Sequence, residues 1–147
     1  MASEAEQIIC SHISCLNWLN ALGSLFASWT SSSKGGSFCS APVVRRRLEA
    51  AGVAPERLFL VEGPAEETIP LVAPPSIAIL RLDADLFAPT YEALRHLYSL
   101  LEPGGHVIID DYGHWKGCRD ATDRFFSEKG QAFPGKRVDY TCYAWRT

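Results

Sequence analysis

Ser76-Ile-Ala-Ile-Leu-Arg-Leu-Asp83-Ala-Asp85 and Gly104-Gly-His-Val-Ile-Ile-Asp110-Asp111 are two apolar runs, each ending in a pair of acids. The residues between Asp85 and Gly104 read as one helix with its stop signal. Pro89 suits a first helical turn, Glu92 favours the positive end of the helix dipole, and Pro103-Gly104-Gly105 terminates the segment. Strand, helix, strand in so short a span is a βαβ unit, whose two strands lie parallel and finish side by side. Adjacent strands are ~4.8 Å apart, so the acids at their ends converge on one small volume. Like charges that close repel unless a cation sits among them, and a hard divalent ion such as Mg²⁺ suits oxygen ligands.

Outward from this unit, strand and helix signals alternate. Pro42 opens a helix running through 45–51 that Gly52 ends, and 57–61 is a short apolar strand. A helical turn over 65–69 is closed by Pro70. Beyond the second acidic pair, a helix over 115–128 buries Cys118, Ala121, Thr122 and Phe125, and 136–146 alternates as a strand or tight hairpin. The order predicts an α/β fold: a mostly parallel sheet with helices on both faces and an antiparallel C-terminal strand or hairpin. Ligands of such sheets bind at the carboxyl ends of the strands, where both acidic pairs lie. Arg81 is out of place in an apolar strand and reads either as an ion pair beneath the acids or as a strand-edge residue. Arg45-Arg46-Arg47 reads as a solvated helix face.

The chain has 147 residues, 47% hydrophobic and 21% charged, with a net charge of −3. That is one domain's worth, with no charge pattern calling for nucleic acid or an anionic membrane as partner. No apolar run reaches the ~18 residues of a membrane span. The five cysteines form no CxxC pair, so they read as reduced thiols and the chain as cytoplasmic.

The stretches Leu80-Arg-Leu-Asp-Ala-Asp-Leu-Phe87, Leu101-Glu-Pro-Gly-Gly-His-Val-Ile-Ile-Asp-Asp-Tyr-Gly113 and Gly117-Cys-Arg-Asp-Ala-Thr-Asp123 resemble the macrocin O-methyltransferase family. A looser likeness covers Phe59 to Pro70, and the whole spans about 42–146. The resemblance implies a Rossmann-like methyltransferase fold and an S-adenosylmethionine- and Mg²⁺-dependent enzyme that methylates a hydroxyl, a sugar's above all, of a small molecule. It implies Asp83, Asp110 and Asp111 as metal ligands and Asp85 as general base.

The family's glycine-rich nucleotide turn, and the acid-ended strand that follows it, have no counterpart in residues 1–56. The first βα units are therefore expected to be missing, and no residue is assigned to cofactor binding. Residues 1–40 read as an unrelated leader and linker, helical over 8–29, and 41–147 as the C-terminal part of a methyltransferase-like domain. A truncated enzyme of this kind would expose the edge of the 77–82 strand, which predicts poor solubility or self-association through that edge unless residues 8–29 fold over it as a surrogate helix. Its activity is in question without the cofactor half, so a non-catalytic pseudoenzyme or interaction fragment is the alternative. A DxD nucleotide-sugar glycosyltransferase ranks lower, because it leaves the second acidic strand unexplained. Phosphatases with a similar first motif need a lysine that residues 86–109 do not contain.

Overall fold

A computed structural model describes residues 7–10, 24–29 and 41–147, the first two segments as backbone strands. Seven strands form one sheet in the order β3-β2-β1-β4-β5-β7-β6. β1 (Gln7–Cys10), β2 (Ser24–Trp29), β3 (Leu58–Glu62), β4 (Ile77–Leu82) and β5 (Leu101–Ile109) run parallel. β7 (Tyr143–Arg146) returns antiparallel to β5, and β6 (Lys136–Arg137) pairs antiparallel with β7. The helices are α1 (Ala41–Ala50), α2 (Ala65–Val72), α3 (Phe87–Leu97) and α4 (Lys116–Glu128). The parallel sheet with a C-terminal antiparallel hairpin is the fold the alternating pattern predicts.

The two described segments within residues 1–40 depart from expectation. The helix expected over 8–29 is replaced at both ends by strands, and β1 and β2 fill the sheet positions that were expected to be missing. Gln7-Ile-Ile-Cys10 and Ser24-Leu-Phe-Ala-Ser-Trp29 are short apolar runs, which periodicity alone does not assign to strand or helix. Pairing decides them, because β1 completes the ladder of β4 through Ile8↔Ile79, Ile9↔Leu80 and Cys10↔Arg81. The edge of β4 on which self-association was predicted is therefore covered. The linker expected over 30–37 lies outside the described residues.

Smaller departures have local causes. α2 continues through Pro70 to Val72, the proline lying in the second turn of a short helix. Pro103-Gly104-Gly105 ends the helical segment but lies inside β5, where the pairing register with β4 shifts between Ile77 and Ile79. Gly104 has a φ of 82°, and a side chain there would meet the Arg146 guanidinium. The buried face of α3 is Thr90, Ala93, Leu94 and Leu97, with Tyr91 partly buried beside it, and a 3₁₀ turn over Tyr98–Leu100 ends the helix.

The core lies between β4, β5 and β7 and the row of α2, α3 and α4. Leu80, Leu82, Val107 and Ile109 from the sheet meet Ala65 and Ile69, Leu94 and Leu97, and Phe125 and Phe126 from the helices. Tyr98 sits edge-on to Phe125 and Phe126 at centroid distances of 5.2 and 5.5 Å, an attractive arrangement beyond area burial. α4 buries Cys118, Ala121, Thr122 and Phe125 as predicted, with Phe126 added. The core thus grips β4 and β5 on the side opposite Arg81, which alternates with the buried Leu80 and Leu82.

Candidate functional site

β4 and β5 end level with each other, with Leu82 opposite Ile109 and the Asp110 N–H donating to the Leu82 carbonyl at 2.8 Å. Two further donors, the Thr90 hydroxyl and the Cys118 N–H, clamp the Asp83–Leu86 loop. The Thr90 hydroxyl, fully buried on α3, lies 3.0 Å from the Ala84 carbonyl and 2.9 Å from that of Leu86. At the start of α4 the Cys118 N–H, one of the donors a helix terminus leaves unpaired, donates to the Asp85 carbonyl at 3.2 Å. Gly117 makes this approach feasible: a Cβ there would lie 2.8 Å from the Asp85 carbonyl oxygen and 2.9 Å from the Phe87 nitrogen. Neither Thr90 nor Gly117 was singled out from the sequence. The signal available was a glycine placed inside an otherwise strong helical pattern.

The four predicted acids come together, but unequally. Arg81 reaches up from β4 and its Nη2 bonds Asp83 Oδ2 at 3.2 Å and also bonds Asp110 Oδ2. The odd arginine is thus an ion pair beneath the acids. Asp111 Oδ2 is buried and has no hydrogen-bond partner. Burial, and then the negative charges of Asp83, Asp85 and Asp110, push the Asp111 carboxyl up to about 7, with Arg81 offsetting part of the effect. Asp85 is exposed at the rim.

Two buried thiols flank the pair. Burial pushes Cys118, whose neighbours include Thr90, Thr122 and Asp111, up to about 12, and pushes Cys142, which adjoins Asp110, up to about 11. Both are neutral near pH 7, and thiolates are the form that binds metals. The segment after Asp111 turns tightly, its carbonyl accepting the His114 and Trp115 N–H groups at 3.1 and 2.9 Å. Gly113 packs on the backbone of Tyr140 and Thr141 and donates to the Thr141 carbonyl at 2.7 Å. This brings His114 Nδ1 to 3.2 Å from the Tyr140 hydroxyl and leaves Trp115 and Tyr140 exposed. Tyr112 packs instead on Phe133 and Tyr143, and its hydroxyl donates to Asp123 at 2.8 Å.

Among the described residues, no group of three His, Cys, Asp or Glu side chains is arranged to hold a metal ion. The cation between Asp83 and Asp110 is the Arg81 guanidinium. The donor set still suits a hard divalent ion in kind: it is all carboxylate oxygen, and one buried oxygen has no partner.

The profile of the macrocin-O-methyltransferase (TylF) family matches residues 36–147. The 8-demethyl-8-(2,3-dimethoxy-alpha-L-rhamnosyl)-tetracenomycin-C 4'-O-methyltransferase of Streptomyces olivaceus is 36% identical over 103 residues, which are 70% of this chain and 39% of that protein. The mycinamicin III 3''-O-methyltransferase of Micromonospora griseorubida is 30% identical over 107 residues, 73% of this chain and 42% of the relative. The chain thus matches less than half the length of either curated relative. Among solved structures, the O-methyltransferase NovP superposes with a TM-score of 0.77 at 20% identity, over 97% of this chain and 72% of NovP. An O-methyltransferase from Bacillus cereus in complex with SAH superposes at 0.63 and 13% identity. These neighbours establish the class I Rossmann-like methyltransferase fold. With three-quarters of its length matched by the family profile, and the paired acids within that stretch, the chain belongs to the macrocin-O-methyltransferase family.

Proposed function

We propose that this chain carries the cation- and acceptor-binding half of an S-adenosylmethionine- and Mg²⁺-dependent O-methyltransferase that acts on a sugar hydroxyl of a small molecule. The observation that carries this reading is the convergence of four carboxylates at the ends of β4 and β5, one with a buried oxygen lacking a partner. Asp83, Asp110 and Asp111 would hold the ion. When bound, Mg²⁺ supplies stabilisation of the negative charge that develops on an acceptor oxygen, and S-adenosylmethionine supplies the methyl group.

The chain's own residues do the rest. Asp85, exposed at the rim, takes the hydroxyl proton. The bonds from Thr90 and the Cys118 N–H hold its loop still, so the base acts chiefly by placement. Leu86, which follows Asp85 in the chain, and Trp115 and Tyr140, which both pack on His114, are 54%, 46% and 63% exposed, apolar and aromatic surface suited to the C–H face of a sugar. The Streptomyces olivaceus relative, which by its name acts on a rhamnosyl tetracenomycin, supports the same substrate class.

A second reading, a non-catalytic relative, has its own observations. Arg81 already supplies a positive charge between two of the acids. Residues 11–22, after β1, contain no glycine, and residues 11–48 contain no acid to hold a ribose.

Incubation with labelled S-adenosylmethionine, Mg²⁺ and a panel of glycosylated acceptors separates the two. Label on a sugar hydroxyl, dependent on Mg²⁺ and lost in Asp85→Asn, is the result expected of the enzyme. Mg²⁺ binding with no transfer to any acceptor would favour the non-catalytic relative.

A further inference from the structure

Asp83, Asp110 and Asp111 are treated differently by the fold. Two carboxylates share one guanidinium nitrogen of Arg81, and the third has a buried oxygen with no partner. The Arg81 side chain is 14% exposed, and those of Asp83 and Asp110 are 12% and 27% exposed, so the ion pairs lie largely out of water. Charges in such a place interact far more strongly than surface pairs and cannot be exchanged for hydration without cost. Arg81 is set on β4 between β1 and β5, with backbone partners Cys10 and Ile108, so its base is fixed by the sheet while its guanidinium bonds Asp83 and Asp110.

We propose that Arg81 is a built-in counter-ion that holds Asp83 and Asp110 together in the metal-free protein and competes with a divalent cation for them. It is a positioning residue: it touches the ligands and not the reacting atoms. The inference rests on the reading that these acids bind Mg²⁺, and goes beyond it by naming what sets the affinity. Metal entry requires the guanidinium to loosen its hold on at least one carboxylate, so affinity is lower than the carboxylate count alone would give. Asp111 is the acid at which an entering ion meets no such competitor.

Titration calorimetry with MgCl₂ on the full chain tests this, using wild type, Arg81→Met, Arg81→Lys and Arg119→Gln, with thermal unfolding recorded with and without Mg²⁺. Arg119 is the control for loss of charge alone, because its guanidinium bonds the Tyr112 and Gly113 carbonyls and no carboxylate. The expected result is that Arg81→Met binds Mg²⁺ about tenfold more tightly or better, given Coulomb energies at these distances. Its midpoint should fall without Mg²⁺ and gain more from Mg²⁺ than wild type does. Arg81→Lys, which keeps the charge, should fall between them, and Arg119→Gln should change affinity little.

The outcomes separate this inference from the proposed function. Binding by wild type that is unchanged or weaker in both Arg81 variants overturns the competitor role and leaves the metal site standing. Equal tightening in Arg119→Gln also overturns it. Binding by Arg81→Met alone supports the competitor role and shows the guanidinium to be a permanent substitute for the metal. No binding by any variant overturns both.

Discussion

The carboxyl ends of β1 and β4 lie side by side in one sheet and carry opposite chemistry. β4, with β5 beside it, ends in four acids, an arginine beneath them and a loop clamped by Thr90 and the first turn of α4. β1 ends at Cys10 and is followed by Ser11-His12-Ile13-Ser14-Cys15-Leu16, with no acid and no glycine. The sheet order is satisfied on both sides, because strand pairing needs only short apolar runs and backbone hydrogen bonds. A binding site needs particular side chains and turns, and among the described residues the β4–β5 end brings them together.

The largest expected effect breaks the β4–β5 side outright. Asp110→Asn/Asp111→Asn should reduce Mg²⁺ affinity at least ~100-fold, since hard cations depend on anionic oxygen ligands, as read by calorimetry. Retained affinity would place the ion elsewhere. Next, Gly117→Ala should push the Asp83–Leu86 loop away from α4, because the clashing atoms are all backbone. Overpacking of this kind costs ~1–3 kcal/mol, which a denaturant midpoint would register together with weaker Mg²⁺ binding.

A pH series sharpens the comparison further. Asp111 sits at about 7 in the fold against about 4 in an unfolded chain. Between those values the native state binds more protons than the unfolded one, so this group's contribution favours the fold below about pH 4 and is lost as pH rises through about 7. Metal-free protein should lose stability over that window, and Mg²⁺ affinity should rise over the same window as the carboxylate becomes available. Asp111→Asn should flatten the stability profile. The smallest effect belongs to the β1 side: Ser11→Ala and His12→Ala should leave Mg²⁺ affinity within about twofold, the scatter expected of sites without shared partners. A large loss in either would mean that the β1 end takes part after all.

Much of the β4–β5 side was readable in the sequence because it is written locally. Each apolar run terminates in its own acids, and α4 shows its buried face at helical spacing through Cys118, Ala121, Thr122 and Phe125. The acids could be placed at neighbouring strand ends from the βαβ pattern alone, and Arg81 stood out as a charge in a strand. What was unreadable depends on partners distant in sequence. β1 and β2 are too short and too lightly patterned to be told from helix until β4 and β3 pair with them. The Thr90 and Gly117 contacts arise from packing of α3 and α4 onto a loop. The burial of Asp111 Oδ2 and the sharing of Arg81 by two acids are likewise tertiary facts.

If the ends of β4 and β5 form a divalent-cation site, calorimetric titration of the full chain with MgCl₂ at pH 8 should show saturable binding of one Mg²⁺ per chain, abolished in Asp110→Asn/Asp111→Asn. Absence of binding in the wild-type chain, or binding that survives the double substitution, would rule such a site out.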